Sequence, residues 1–151
     1  MTERVAPIQM SLLVPLSPQR AFDLFTSRIG EWWPLATHSV VANQGGTCTI
    51  EPFAGGRVYE RADDGREHDW GRILLFEPPQ RIAMTWHPGG GPETELEVRF
   101  TPADDGTLVE LEHRGWEVFG DEAIAARSGY ENGWPLVFTR RYGAAAGVLF
   151  A

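Results

Sequence analysis

The sequence predicts an α+β domain in which a curved antiparallel sheet is covered by a long C-terminal helix. Three observations predict it. Seven short β-like segments recur along the chain, punctuated by Gly, Pro, Asn and Asp turns. Several alternate apolar with charged residues, as strands with one dry and one wet face must. Behind the last of them, the run from Gly129 to Phe138 opens a helical stretch that carries large aromatics on an apolar face. Such a face needs a partner, and the sheet is the one on offer. A curved sheet closed by an aromatic-lined helix leaves a cavity suited to a small apolar ligand.

The elements follow in order. Ile8, Met10, Leu12 and Val14 alternate with Gln9, Ser11 and Leu13 and form the first strand. Ser17 before Pro18 reads as an N-cap with a first-turn proline, and Ala21, Phe22, Leu24 and Phe25 give a short amphipathic helix. A second short helix is expected at Ile29-Gly30-Glu31-Trp32-Trp33, stopped before Pro34. Residues 35–46 read as a loop, placed either to gate a cavity or simply to connect. The remaining strands are Thr47–Glu51, Arg57–Arg61, Glu67–Phe76, Arg81–His87, Glu93–Thr101 and Thr107–His113. Asp63-Asp64-Gly65 reads as a turn, and Asp104-Asp105-Gly106 is a strong hairpin signal. Gly89-Gly90-Gly91 is also a turn, since the Lys-Ser/Thr of a phosphate loop does not follow it. The long helix is expected from Asp121 to near Tyr142, with a break allowed at Ser128-Gly129. Pro135 is tolerated if a new helical turn starts near Asn132 or Gly133. The tail from Gly143 to Ala151 packs or frays.

At 151 residues the chain is expected to form one domain, 1–151, with a core of its own. A net charge of −8 argues against nucleic acid and against an anionic membrane surface. No run is long enough to span a bilayer, and the first residues lack the apolar core of a signal peptide, so the cytoplasm is the expected compartment. Cys48 is the single cysteine and is read as a half-buried, inert thiol. His38, His68, His87 and His113 are scattered, so no metal site and no cofactor are expected. No Gly-x-Ser-x-Gly elbow occurs. Glu95, Glu97, Glu110 and Glu112 fall on the wet face, away from any enclosed acid–base site.

Taken together, several short motifs carry a resemblance. They are Pro15-Leu16-Ser17-Pro18-Gln19-Arg20-Ala21-Phe22, Trp32-Trp33-Pro34, Gly55-Gly56 and Gly71-Arg72-Ile73. With them go Glu77-Pro78-Pro79-Gln80-Arg81-Ile82, Thr85-Trp86, Gly106 to His113, and Gly133-Trp134. In this order they resemble the START-like (SRPBCC) superfamily, within it the branch similar to the C-terminal domain of the activator of the heat-shock-protein-90 ATPase. The resemblance implies the helix-grip (START/Bet v 1-like) fold. It implies three functions: a carrier of a small hydrophobic or aromatic ligand, a polyketide cyclase or aromatase, or a chaperone-associated interaction module. The first is favoured, with a monomer or homodimer as the working unit. Fold alone does not choose among them.

Trp33, Trp70, Trp86, Trp116, Phe119, Trp134, Phe138 and Tyr142 are the cavity candidates, about half of which are expected to reach a cavity and the rest to fill the core. Trp134, Phe138 and Tyr142 recur at i, i+4 and i+8 and share one helical face. Trp70 lies on a strand apolar on both sides, so its face is open. His113 alternates with Val109 and Leu111 and points inward. It either orients a ligand or serves as general base, or it is a core histidine satisfied by backbone or by a helix residue such as Asn132. The second reading is favoured, and no catalytic residue is assigned beyond His113 as the nearest candidate. His68 and Arg72 share one strand face, with Asp69 on the other, and are read as solvated. Arg140 and Arg141 complement the helix dipole. Trp134→Ala is expected to weaken ligand binding more than the fold.

Overall fold

A computed structural model describes residues 5–41 and 45–149. Seven strands form one antiparallel sheet: β1 (Ile8–Val14), β2 (Thr47–Ile50), β3 (Arg57–Arg61), β4 (Glu67–Glu77), β5 (Arg81–Trp86), β6 (Thr94–Ala103) and β7 (Gly106–Arg114). Their order across the sheet is β1-β7-β6-β5-β4-β3-β2, so β1 reaches over to pair with the last strand and every later neighbour is a hairpin. The alternation sets the faces: Val109, Leu111 and His113 of β7 are buried, while Glu110 is exposed. The fold is the helix-grip arrangement the sequence predicts.

The sheet curls because β4 carries two irregularities. Val58 pairs with Gly71 and Tyr59 with Asp69, which leaves Trp70 as the extra residue of a bulge. A second slip leaves Leu74 between Ile73, opposite Met84, and Leu75, opposite Ala83. The first bulge settles the face of Trp70, which turns inward and is 1% exposed. It also needs glycine beside it, because a Cβ at Gly71 would stand 1.8 Å from the Thr85 carbonyl oxygen.

Helix α1 (Pro18–Phe25) has the expected start: Ser17 Oγ accepts from the Arg20 N–H at 3.3 Å and Pro18 fills the first turn. Its buried face packs Phe22 edge-on against Phe76 and Phe100, and Phe25 against Trp32 and Tyr142. The second short helix is only a 3-10 turn, Ile29–Glu31. Trp32 and Trp33 follow it in irregular backbone, held by hydrogen bonds from Trp32 Nε1 to the Leu24 carbonyl and from Trp33 Nε1 to the His38 carbonyl.

The C-terminal cover departs most from expectation. A 3-10 segment, Trp116–Glu122, precedes helix α2 (Ala123–Trp134), which runs without a break through Ser128-Gly129. From Pro135 to Tyr142 the backbone winds as a π-helix, then closes with one α-turn, Gly143–Ala145. Pro135 has no N–H to give to the carbonyl one turn back, so the ladder can widen there. Gly147, at φ 96°, ends the helix: Val148 N–H reaches the Gly143 carbonyl and Gly147 N–H the Ala144 carbonyl, a Schellman closure. Residues 150 and 151 of the expected tail lie outside the described residues. No helix among the described residues is long and apolar enough to cross a membrane.

Candidate functional site

Between the curled sheet, α2 and the loop after Trp33 lies a cavity of about 550 Å³. Its walls are Trp33, Trp70 and Trp86 from the sheet side and Tyr130, Trp134 and Val137 from the helix. Pro88 and Gly89 at one turn and residues 37–40 of the loop complete the rim. The space exists because the helix is built from small residues where it crosses the opening: Ala125, Ala126, Gly129 and Gly133. A Cβ at Gly129 would meet nothing within 4 Å. The four indoles interlock, with ring centroids of Trp33 4.8 Å from Trp70, 5.7 Å from Trp86 and 6.1 Å from Trp134. This is a rigid, largely apolar surface.

The loop is fixed to the sheet by a buried acid. Glu60 on β3 is fully buried and accepts hydrogen bonds from Ser39 Oγ at 2.7 Å, the Val40 N–H at 2.6 Å and Trp70 Nε1 at 3.0 Å. One carboxyl therefore ties the cavity rim, through Ser39 and Val40, to the cavity wall, through Trp70. Across the β2–β3 pair it faces Cys48, whose thiol is pushed up to about 12 by burial and by Glu60, so it stays protonated and inert. Glu60→Gln is expected to cost about 1–3 kcal/mol, because an amide supplies one acceptor oxygen where the carboxyl supplies two. Faster hydrogen exchange at the Val40 amide is the checkable consequence; unchanged protection there would contradict the tie.

His113 sits beside the cavity, not in its lining. It is fully buried, and both ring nitrogens are occupied. Nδ1 accepts from Trp134 Nε1 at 3.1 Å, so Nε2 carries the proton and donates to Thr94 Oγ1 at 2.6 Å. Thr94 Oγ1 in turn donates to the Trp86 carbonyl at 2.8 Å. Desolvation drives the His113 pKa down to about 3. A neutral imidazole with no free nitrogen cannot act as base, so it is a structural strut between sheet and helix. Its helix partner is Trp134, two residues on from the exposed Asn132 that the sequence suggested and on the other side of the helix.

The other candidates divide by position. Trp33, Trp70, Trp86 and Trp134 line the cavity; Trp116, Phe119, Phe138 and Tyr142 do not. Trp116 is fully buried against the His113 ring and Phe119 stacks on it, both outside the opening. Phe138 and Tyr142 stay on the face of Trp134 but lie one and two turns farther along, past the end of the cavity. They stack in parallel at 5.8 Å, and the Tyr142 hydroxyl donates to the Ala21 carbonyl of α1. Burial raises the Tyr142 pKa, keeping it neutral in that role.

Three residues that matter were not singled out as candidates. Glu60 shares the inward face of β3 with Val58, two residues back, and that alternation is the readable signal. Tyr130 lies four residues before Trp134, the helical neighbour spacing. His38 sits at the rim with Nδ1 2.8 Å from Thr37 Oγ1, and its Nε2 is 3.7 Å from where a Gly133 Cβ would stand. Nothing in its sequence neighbourhood marks it.

On the outer face, Glu97 is nearly buried beneath Arg99 at 2.7 Å and Arg114 at 2.8 Å, while Arg114 also holds Glu95 and Glu112. Burial opposes the charge on Glu97, but these two arginines hold its pKa below the ordinary value. Asp69 pairs with Arg57 at 2.7 Å. These ion pairs lie on the wet face of the sheet, where solvent keeps each worth little. Among the described residues no three His, Cys, Asp or Glu side chains gather as a metal would need.

The model of the family described as activator of Hsp90 ATPase homolog 1-like protein matches residues 15–141. The uncharacterised protein Rv1546 of Mycobacterium tuberculosis (strain H37Rv) is 28% identical over 130 residues, covering 81% of this chain and 86% of that protein. Among solved structures, protein MLL2253 from Mesorhizobium loti superimposes with a TM-score of 0.66 at 19% identity, over 96% of this chain and 100% of the other. An anthrahydroquino-γ-pyrone synthase, Txn09, solved in complex with a molecule designated SUM, superimposes with a TM-score of 0.62. It is 36% identical over 95% of this chain and 99% of its own.

Proposed function

We propose, for a chain that belongs to the activator of Hsp90 ATPase homolog 1-like family, that its cavity binds a flat, polycyclic aromatic molecule. The observation that carries this is the wall of Trp33, Trp70, Trp86 and Trp134 around about 550 Å³. That volume lies within the range of small-molecule pockets, and the rings offer broad apolar faces at fixed angles. Each Å² of apolar surface withdrawn from water is worth about 25 cal/mol before the costs of association. The glycines and alanines of α2 favour a thin ligand that slides between helix and sheet.

Gly129→Leu separates binding from folding. Glycine in a helix interior is about 1 kcal/mol worse than alanine, and the added side chain meets open space, so stability is expected to hold or rise. The same side chain occupies the cavity. Titration with the flat tricycle xanthone, followed by quenching of tryptophan fluorescence, should saturate at one ligand per chain in the parent protein and fail in the variant. Unsaturable quenching in the parent, or equal affinity in both, would count against the cavity as the binding site.

A second reading is favoured by the 36% identity to the γ-pyrone synthase: ring closure on the bound aromatic. A γ-pyrone fused to an arene arises when a phenolic oxygen adds to the far ketone of a 1,3-diketone side chain and water leaves. The phenol proton needs an acceptor near the ring edge. His38 has the position for it, oriented by Thr37 through Nδ1 and presenting Nε2 beside Gly133.

A further inference from the structure

In a largely apolar wall, one buried polar atom among the described residues lacks a well-formed hydrogen bond. Trp86 is 3% exposed, and its Nε1–H is buried without a hydrogen bond of ordinary geometry. Buried unsatisfied donors are rare, and each calls for a reason. The group it faces is the phenol of Tyr130, across the cavity corner where sheet and helix meet. Beyond that indole, the Tyr130 hydroxyl has no hydrogen-bond partner among the described residues. Its ring is held in place: centroids lie 4.8 Å from His113, 5.6 Å from Trp116 and 6.4 Å, stacked, from Trp134. The indole N–H thus has only the phenol oxygen to turn to, and the phenol O–H beside it has no acceptor among the described residues.

We propose that Trp86 and Tyr130 form a subsite for one conjugated carbonyl oxygen of the ligand, the ketone of a quinone, pyrone or aryl ketone. This rests on the reading that the cavity takes a flat aromatic. The direction of the hydrogen bonds follows from chemistry. An indole N–H only donates, so it turns toward the phenol oxygen. The phenol then has its own O–H left for the ligand. Burial raises the Tyr130 pKa, which keeps the hydroxyl protonated and able to donate. The indole behind it polarises the O–H and strengthens that donation, the more so if the ligand oxygen gains negative charge during a reaction. A polar spot set deep in a largely apolar wall fixes orientation as well as affinity: the ring system can stack either way up, but its carbonyl is drawn to this corner.

The test compares two probes of the same tricyclic outline: xanthone, which carries a γ-pyrone carbonyl, and xanthene, which has a methylene in its place. The parent protein is expected to bind xanthone about tenfold more tightly, the worth of one well-made hydrogen bond in an apolar site. Tyr130→Phe removes that preference and leaves xanthene affinity within about twofold, which also shows that the variant is folded. Trp86→Phe keeps the ring and lowers the preference by a smaller factor, about threefold. The infrared carbonyl stretch of bound xanthone shifts down in the parent and returns upward in Tyr130→Phe. If Tyr130→Phe weakens both probes alike, or neither, the subsite is wrong while the cavity reading stands. If the parent protein binds neither probe, the cavity reading fails and takes the subsite with it.

Discussion

Acidification from pH 7 to about 4.5 is expected to remove roughly 2–3 kcal/mol of folding stability through His113 alone. Unfolded, the imidazole titrates near 6.5; folded, burial holds it near 3. Above 6.5 neither state binds the proton, so stability is unaffected. Between 6.5 and 3 the unfolded chain is protonated and the folded one is not, so each pH unit of acid favours unfolding by about 1.4 kcal/mol. The groups packed around the ring do not blur this window. Thr94, Trp116 and Trp134 do not titrate, and Tyr130 is shifted upward, away from it. The ion-paired carboxylates with lowered pKa values, Glu31, Glu67, Glu97 and Glu112, contribute below their ordinary range, at the acid end. Urea unfolding at several pH values would measure the slope in the parent protein and in His113→Gln. Glutamine keeps an acceptor and a donor but cannot charge, so the variant should be less stable at pH 7 and nearly flat from 6.5 to 5. Identical slopes would assign the acid sensitivity elsewhere.

The inward direction of His113 was legible because strand alternation is strict: β7 pairs on both sides without a slip. The same regularity made β1, β6 and the hairpin turns readable, and the Ser17-Pro18 start of α1 has its own local chemistry. Where the backbone departs from its period, sequence reasoning loses the side chains. The bulge at Trp70 rotates one residue out of alternation, and the signal for it, Gly71 beside a tryptophan, has meaning only once the Thr85 carbonyl is known to lie against it. The change to π winding after Trp134 depends on Pro135 within a helix that tertiary packing holds together, a choice local propensity cannot make. The cavity is harder still to read, because it is a property of missing volume. The aromatics announce themselves, but whether a ring borders space or fills it is decided by Ala126, Gly129 and Gly133, small residues whose sequence gives no sign that they face a cavity. Phe138 and Tyr142 share the face of Trp134 and yet serve the core, since eight residues of helix carry a ring roughly 12 Å, beyond the cavity and onto α1.

Trp134→Ala is expected to cost about 3–5 kcal/mol, a larger effect on the fold than sequence reasoning assigns to it. The side chain is 3% exposed and touches three other tryptophan or tyrosine rings. Its N–H is also the donor that fixes the His113 tautomer, so its loss leaves Nδ1 of a buried imidazole without a partner. Alanine at this position therefore confounds binding with stability. Trp134→Phe divides the two roles. It keeps an aromatic face on the cavity and deletes the hydrogen bond, for an expected cost of about 1–2 kcal/mol. Affinity for a flat aromatic should then stay within a few-fold of the parent. The bond between Trp134 and His113 has its own signature in a double-mutant cycle. Combining Trp134→Phe with His113→Gln should destabilise by less than the sum of the single changes, because the second finds the interaction already broken. A coupling of about 1 kcal/mol, measured by denaturant unfolding at pH 7, would establish that the helix is tied to the sheet through this pair. Strict additivity would mean that Trp134 holds the helix through ring packing alone, and that the imidazole is satisfied by Thr94 without it.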